Sequence, residues 1–270
     1  IKYKHWSYKM IQTPATVLDD RMVRFKTYLE RTKMVHNQYQ YDGVRWILNN
    51  EIRDKPPHDI RGGFIADEMG LGKTIMMIGT LLCNFLPKTL IVVPPVLIDQ
   101  WFTQIYRTTG HKALIYHGDN KKRITLDTLN KATIVITTYG AITLTRKQLK
   151  TDTVTLLHKI SWNRVVFDEA HHLRNNRTTR HISAKKLDTK IRWLVSGTPI
   201  QNNKKDFYSL CSLIGLPASF YTEPDNLPVL TNAFILKRTK QLVGIDMPQL
   251  VIDKSIVQWT SKFEMKLSEE

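Results

Sequence analysis

Short apolar runs alternate with longer stretches of helical spacing along most of the chain. The longer stretches carry apolar residues three or four positions apart, as an amphipathic helix does. Strands that are apolar throughout and separated by helices are typical of a parallel sheet covered on both faces. The pattern therefore predicts an α/β fold with a mainly parallel sheet flanked by helices on both faces. The predicted strands are Gly63–Ala66, Thr89–Val93, Ala113–Tyr116, Thr133–Thr137, Arg164–Phe167 and Arg192–Val195. The predicted helices are His36–Asn49, Thr74–Phe85, Val96–Tyr106, Asn176–Leu187 and Lys204–Leu213.

The same architecture predicts where a ligand binds. In an open parallel sheet the binding site lies at the carboxyl ends of the strands. We therefore expect the residues directly after each apolar run to carry the function.

Composition narrows the class of protein. The chain has 270 residues, and 42% of them are hydrophobic, so a sizeable core can form. The net charge of +16 is spread along the chain and favours a polyanionic partner, with nucleic acid first among them. The basic clusters are equally compatible with solvated faces. These clusters are Lys121–Arg123, Lys185–Lys186, Lys204–Lys205 and Lys237–Arg238.

Two cysteines, Cys83 and Cys211, are too few for a disulfide framework and fall in predicted helices, which indicates buried free thiols and a reducing compartment. No apolar run approaches the roughly 18 residues of a membrane span, so we expect no membrane partner. The chain begins at Ile1 and stops abruptly after Glu270, and we interpret it as a piece of a longer protein.

A phosphate-binding loop follows the first apolar run. Its glycines let backbone amides surround phosphate at a helix N-terminus. Lys73 is expected to reach the β- and γ-phosphates of ATP, and the Thr74 hydroxyl to bind Mg²⁺. The strict pattern has glycine where Asp67 stands, so the match is imperfect. The predicted nucleotide-binding residues of the loop are Gly70, Leu71, Gly72, Lys73 and Thr74.

Two acidic residues follow the fifth apolar run. A carboxylate at a strand end is the second anchor that Mg²⁺ needs, and we assign this role to Asp168. Glu169 is placed to polarise the attacking water as a general base. His171 and His172 come next, but no third Cys or His stands at zinc spacing. Ser196 and Thr198 follow the sixth apolar run. Their small hydroxyl groups would link Asp168 and Glu169 to another surface.

Together these segments resemble the Swi/Snf-type family of chromatin-remodelling and DNA-translocating ATPases, within helicase superfamily two. The resemblance covers the chain from about Val35 to Lys240. It implies a RecA-like P-loop domain that uses ATP and Mg²⁺. Gln40 would contact the edge of the adenine base. The residues that would couple the acidic pair to another surface are His171, Ser196 and Thr198. The segments that carry it are Tyr39–Trp46, Asp67–Thr74, Asp168–Asn175 and Ser196–Asn203.

The resemblance also implies a division of the chain. Residues 1–30 are polar and aromatic without a clear period, and we interpret residues 1–33 as an N-terminal extension. Residues 34–240 would form the first RecA-like lobe, and residues 241–270 the connection to a second lobe of the same polypeptide. In this family ATP binds between the lobes, and arginines of the second lobe complete hydrolysis. We therefore expect one lobe alone to bind nucleotide weakly and to hydrolyse it poorly.

Members of the family bind the phosphates of one strand of duplex DNA. The segments of the first lobe that make these contacts follow β-strands. Trp101 in one of these segments is open to a second interpretation, because large aromatic residues more often pack in the core. The predicted nucleic-acid contacts are Pro95, Gln100, Thr138, Tyr139, Arg174 and Asn175.

Three functions remain open at this level. The first is the motor of a duplex-DNA translocase that acts on nucleosomes or the transcription machinery in the nucleus. The second is a strand-separating RNA or DNA helicase, against which the sequence Gly197–Asn202 argues. The third is a scaffold with a vestigial ATP site. A compact lobe of this kind is similar to the global transactivator of large insect DNA viruses, which would act in the host nucleus.

Overall fold

The structure, a computed structural model, describes residues 15–197 and 204–245. The chain separates into a large compact unit that ends at Thr239 and a second unit that begins at Lys240. In the second unit, residues 240–245 form a turn closed by a hydrogen bond from the Ile245 amide to the Lys240 carbonyl. The predicted domain boundaries at residues 33/34 and 240/241 stay predictions.

Seven strands of the described residues form one sheet in the order β3-β4-β2-β5-β6-β1-β7, and every neighbouring pair is parallel. The central strands are buried along their length, as a sheet covered on both faces requires. The phosphate-loop strand β1 lies between β6 and β7. The strands are β1 (Arg61–Ile65), β2 (Thr89–Val93), β3 (Leu114–Tyr116), β4 (Ile134–Thr138), β5 (Trp162–Asp168), β6 (Thr189–Val195) and β7 (Ile235–Leu236).

Helices cover both faces of the sheet, and alternate strand residues point into two separate hydrophobic clusters. Leu90 and Val92 belong to one cluster, whereas Ile91 and Val93 belong to the other. The α-helices are α1 (Ala15–Thr32), α2 (Gln38–Ile52), α3 (Lys73–Cys83), α4 (Ile98–Thr109), α5 (Leu126–Lys131), α6 (Tyr139–Ile142), α7 (Arg146–Lys150), α8 (Thr179–Lys185), α9 (Lys204–Leu213), α10 (Ala218–Tyr221) and α11 (Leu227–Phe234). Short 3₁₀ turns lie at Pro57–Asp59, Pro95–Leu97, Gly118–Lys122, Leu156–Lys159, Ala170–Leu173 and Pro224–Asn226.

The predicted α/β fold with a mainly parallel sheet is confirmed, and all six predicted strands are present with ends shifted by a few residues. The pattern missed β7, because two apolar residues are too few to show a period. β7 pairs with the end of β1, from Phe64 to Ile235 and from Ile65 to Leu236. Within the described residues, no helix is long and apolar enough to cross a membrane.

Helix α1 corrects the sequence analysis. We found no clear period in residues 1–30, yet part of that segment is an amphipathic helix that packs on α2 and α3. Its buried residues recur every three or four positions, and they join the core cluster that contains α3. These residues are Leu18, Met22, Phe25 and Leu29. Residues 15–32 therefore pack on the helices that cover the sheet.

Candidate nucleotide site

The loop between β1 and α3 has the backbone shape that the sequence predicts. Gly70 and Gly72 have φ angles of 92° and 80°, in the left-handed region that favours glycine. A side chain at residue 72 would also collide with Gln40, because a Cβ there would lie 2.4 Å from the amide nitrogen Nε2. Glycine at this position therefore lets α2 approach the loop.

Lys73 is the first residue of α3, and its amine lies inside the loop. Nζ donates to the backbone carbonyls of Asp67 and Glu68, at 2.9 and 3.3 Å. Burial lowers the pKa of Lys73, while nearby carboxylates, first that of Glu169, oppose the shift by stabilising the ammonium. The carbonyls thus hold the cation where phosphate oxygens could replace them. Thr74, the next residue of α3, is half-buried.

Asp168 ends β5 and is held on several sides. Its Oδ2 accepts a hydrogen bond from Trp101 Nε1 at 2.7 Å, and its Oδ1 accepts one from the Glu169 amide at 3.0 Å. The Tyr139 hydroxyl donates to its backbone carbonyl at 2.6 Å. Burial raises the pKa of Asp168, and the bonds from Trp101 and Glu169 counteract that effect.

Glu169 turns out of the strand into the loop. Its φ angle of 52° is uncommon for a residue with a side chain and marks a constrained turn. The side chain is half-exposed, and its Oε2 lies 3.2 Å from Nδ1 of His171. Glu169 is therefore much more open to solvent than Asp168, which is 6% exposed.

The segment after β6 also reaches the phosphate loop. The Ser196 amide donates to the Ile65 carbonyl at 3.0 Å, which continues the pairing of β6 with β1. A Cβ at Gly197 would lie 3.4 Å from Lys73 Nζ. Predicted coupling residues His171 and Ser196 therefore lie at the same edge of the sheet as the loop, and Thr198 lies outside the described residues.

Gln40 lies directly against the loop. Its Nε2 donates to the Leu71 carbonyl at 3.3 Å, and its Oε1 accepts from Asn37 Nδ2 at 3.4 Å. The side chain is nearly buried. This position links the start of α2 to the loop, and contact with adenine stays a prediction.

Arg238 is a site residue that the sequence analysis missed. Its guanidinium donates to both carboxylate oxygens of Asp67, which is fully buried, and to the Tyr39 carbonyl. The same group lies 5.6 Å from the centre of the Tyr39 ring. The sequence does contain a signal for this pair, because Asp67 stands where the loop pattern has glycine. A carboxylate buried at that position requires a positively charged partner.

Comparison with known proteins decides the family. A family model described as the SNF2-related domain matches residues 39–267, most of the chain. The chain belongs to the SNF2-related family. The predicted resemblance to Swi/Snf-type proteins is thereby confirmed.

Relatives and solved structures agree with this membership. The chain is 30% identical over 227 residues to the probable global transactivator of Orgyia pseudotsugata multicapsid polyhedrosis virus, covering 78% of this chain and 44% of that protein. It is 33% identical over 192 residues to the ATP-dependent DNA helicase DDM1 of Arabidopsis thaliana, covering 67% and 24%. The chain thus spans less than half the length of these relatives.

The SWI2/SNF2 ATPase core of Sulfolobus solfataricus, solved in complex with double-stranded DNA, is similar in structure. The match covers 75% of this chain and 44% of that chain, with a TM-score of 0.60 and 26% identity. The RecA-like fold predicted for this SNF2-related chain is therefore confirmed.

The donors at the site fit Mg²⁺ better than a transition metal. Thr74 offers a hydroxyl and Asp168 a carboxylate, which are the hard oxygen ligands that Mg²⁺ takes beside phosphate. Among the residues that the structure describes, no group of three or more His, Cys, Asp or Glu could hold a metal ion. A site that relies on substrate phosphates for the remaining ligands has this composition.

Four of the predicted nucleic-acid residues of the SNF2-related chain are exposed, namely Pro95, Gln100, Arg174 and Asn175. Arg174 and Asn175 line an open groove of about 650 Å³ beside α9. Other groups in its wall include Arg177, Lys205 and Tyr208. Three cationic side chains and one acidic side chain, Asp206, line the groove, so its wall carries a net positive charge.

Two predicted contacts need correction. The side chains of Thr138 and Tyr139 are buried, and the Tyr139 hydroxyl is committed to Asp168, so these side chains do not face a ligand on the surface. Burial also settles the alternative for Trp101, which packs in the core while its indole donates to Asp168. In the segment that follows β4, from Tyr139 to Leu144, Gly140 is exposed and the other residues are buried or half-buried.

Proposed function

We propose that this chain is the ATP-binding first lobe of a DNA-dependent ATPase that translocates on duplex DNA, as chromatin remodellers do. The observation that carries the proposal is the meeting of Lys73, Asp168 and Glu169 at one edge of the sheet. Strands β1, β5 and β6 are neighbours, and their carboxyl ends bring the phosphate loop, the acidic pair and Ser196 together.

Each residue has a role in hydrolysing ATP to ADP and phosphate. Lys73 leaves the loop carbonyls to bind the β- and γ-phosphates, and the amides of Gly70 to Thr74 surround them. Thr74 and Asp168 would hold Mg²⁺, which neutralises the charge that develops on the phosphates. Glu169 orients the attacking water and takes its proton, since it is the acidic side chain of the pair that reaches solvent.

Duplex DNA is the proposed polymer. A net charge of +16 and the cationic groove at Arg174 and Lys205 support contact with phosphates rather than reading of bases. The solved relative in complex with double-stranded DNA supports the choice of a duplex. Nucleosomes or the transcription machinery would be the wider context, and the nucleus, or the host nucleus for a viral protein, the place of action.

We further propose that a second RecA-like lobe completes the site. Family membership supports this, since the chain spans only part of its relatives. An arginine donated from a second lobe is typically worth about 10³- to 10⁵-fold in rate, so the first lobe alone should hydrolyse ATP poorly.

A panel of polymers tests the function. ATP hydrolysis by the full-length protein is measured alone and with duplex DNA, single-stranded DNA or RNA, and strand separation is followed in parallel. Stimulation by duplex DNA without unwinding is the expected result. Stimulation by single strands or RNA alone would indicate a helicase instead, and an absence of hydrolysis throughout would indicate a scaffold.

A further inference from the structure

A surface groove lies between residues 23–32 of α1 and residues 106–110 at the end of α4, and we name it the α1–α4 groove. Its volume is about 680 Å³, which is comparable to the pocket of a drug-sized ligand. Tyr28 and Leu82, both half-buried, lie in its wall. The Thr108 hydroxyl donates to the Tyr28 hydroxyl at 2.9 Å, and this bond joins the two helices that form the groove.

The α1–α4 groove lies away from the phosphate loop. Helices α3 and α4 connect parallel strands, so each runs from the carboxyl edge of the sheet back to the amino edge. Leu82 is separated from Lys73 by most of the length of α3, about 14 Å along the helix axis. A ligand in the groove would therefore lie at the opposite edge of the sheet from ATP.

Cationic side chains stand on both walls of the groove. Arg24 and Arg31 come from α1, two helical turns apart, and Arg107 comes from α4. All three are exposed. Among the described residues, none of the three forms a salt bridge, and none of the residues that line the groove is acidic. Lys112 adds a further cation, with Nζ 5.9 Å from the centre of the Tyr106 ring.

Apolar side chains lie between these cations. Val23 is 57% exposed and Tyr106 is 46% exposed, and both line the groove together with Leu82. Arginine and tyrosine are enriched where proteins bind other proteins. A guanidinium also donates two parallel hydrogen bonds to a carboxylate. The matching ligand therefore carries both carboxylates and apolar side chains.

Other occupants match the groove less well. A nucleic-acid backbone would supply anions for the arginines, but its phosphates would leave Val23 and Tyr106 without an apolar partner. A second copy of the chain carries the same net charge of +16, so the two copies would repel each other. An acidic segment of a different protein answers both the positive charge and the apolar surface.

We propose that the α1–α4 groove binds an acidic amphipathic segment of a partner protein. The apolar side chains of that segment cover Val23 and Tyr106, and its carboxylates bind Arg24, Arg31 and Arg107. Because the arginines are exposed, their share of the binding falls as the salt concentration rises. The inference goes beyond the proposed function, since it involves neither nucleotide nor DNA.

A peptide selection tests the chemistry of the ligand. The full-length protein selects binders from a random peptide library displayed on phage, and the enriched peptides are synthesised with a fluorophore for affinity measurements. We expect the enriched sequences to combine several Asp or Glu residues with apolar residues. A selection that enriches no peptide, or only peptides without this combination, would overturn the proposal.

Two sets of substitutions locate the bound peptide. Combined Arg24→Ala, Arg31→Ala and Arg107→Ala should weaken binding by about tenfold or more, because three ion pairs are lost. Combined Val23→Thr and Tyr106→Gln keeps the arginines and should weaken binding by about fivefold, because apolar contact is lost. All five residues are exposed, so the unfolding temperature should stay close to that of the wild type. Unchanged affinity in either variant would overturn the proposal.

The matched control removes the same number of positive charges from another exposed helix. Arg146, Lys147 and Lys150 are exposed residues of α7, and all three are changed to Ala. The control should bind the peptide within about twofold of the wild type, because exposed charges at a distance are largely screened. A loss equal to that of the groove variant would overturn the proposal, since the peptide would then respond only to the overall positive charge.

A nucleic-acid ligand is the remaining alternative. The affinity for a short DNA duplex is measured for the wild type, the variant without the three groove arginines and the α7 control. We expect the two triple variants to bind DNA equally well within about twofold, as removal of the same number of charges predicts. A loss of DNA affinity confined to the groove variant would overturn the proposal in favour of a nucleic-acid surface.

Discussion

Arg238 donates to both carboxylate oxygens of Asp67, a residue that precedes it by 171 positions and opens the phosphate loop. Asp67 is fully buried, so the guanidinium supplies the positive charge that its carboxylate needs in the interior. Arg238 also donates to the Tyr39 carbonyl in α2. The pair therefore joins the end of β7, the phosphate loop and the segment that carries Gln40.

Removing Arg238 should destabilise the fold and the loop together. Arg238→Ala leaves the Asp67 carboxylate buried without a partner, and we expect a loss of about 3–5 kcal/mol in the free energy of unfolding. Because the carboxylate then draws water into the loop, nucleotide affinity should fall as well. Urea unfolding and titration with a fluorescent ATP analogue measure the two effects.

The double variant Arg238→Ala with Asp67→Asn should recover more than half of the lost stability, since the unpaired charge is gone. The neighbouring Lys237→Ala is the control, because Lys237 is exposed and a change there should stay within about 0.5 kcal/mol. An Arg238→Ala protein as stable as Lys237→Ala would show that the Asp67 pair contributes nothing.

Gln40→Ala should loosen the phosphate loop and thereby weaken ATP binding. The side chain donates to the Leu71 carbonyl, and losing this bond should lower the free energy of unfolding by roughly 1 kcal/mol and reduce ATP affinity by at most about fivefold. If Gln40 also reads adenine, the preference for ATP over GTP should fall further. Gln38→Ala is the matched control, because Gln38 donates to the exposed Asp42 on the same helix. Equal ATP affinities in the two variants would remove Gln40 from the site.

Acid should destabilise the protein partly through His181. Burial lowers the pKa of His181, whose Nδ1 hydrogen-bonds to the Leu173 carbonyl at 2.7 Å in the loop that follows Glu169. Below the ordinary pKa of 6.5 the unfolded chain takes up a proton that the folded protein resists, so stability falls as the pH falls from 6.5 toward the lowered value. His181→Gln should flatten the pH dependence of unfolding between pH 7.5 and 5.5. An unchanged slope would contradict the assignment.

Both cysteines should be unreactive in the folded protein. Burial raises the pKa of Cys83 to about 12 and also raises that of Cys211, so neither forms the thiolate that alkylating reagents attack. We expect no labelling by iodoacetamide at pH 8 in buffer and labelling of both residues in urea, as read by mass spectrometry. Rapid labelling of the native protein would show that the helices carrying these residues open readily.

Local patterns predicted the strands and the glycine turn after β1, because each is encoded within a few consecutive residues. Thr89–Val93 was predicted to the residue, and Gly70 and Gly72 have the positive φ angles that the loop requires. The acidic pair at the end of β5 is likewise visible in the sequence, because two acidic residues directly follow an apolar run. Parallel pairing then brings these segments together, as the position of site residues after strands predicted.

The partners of the site residues were not predictable, since they come from contacts between distant parts of the chain. Trp101 donates to Asp168, which lies 67 positions later in the chain. Nothing in the local sequence around either residue indicates this contact. Tyr139 was predicted to face DNA because it follows a strand, but its ring turns inward to stack on Phe167. Helix α1 was missed because charged residues surround its four buried apolar residues, so the mean hydropathy of the segment is low.

The most direct test of the account compares the full-length wild type with Glu169→Gln, with and without duplex DNA. We predict that duplex DNA stimulates ATP hydrolysis by the wild type, and that the substitution lowers the stimulated rate by about 10²- to 10⁴-fold while ATP binding persists. Lys73→Ala should lose binding as well. Duplex-stimulated hydrolysis that survives Glu169→Gln would contradict the account, because the acidic pair at the end of β5 would then not be the catalytic centre.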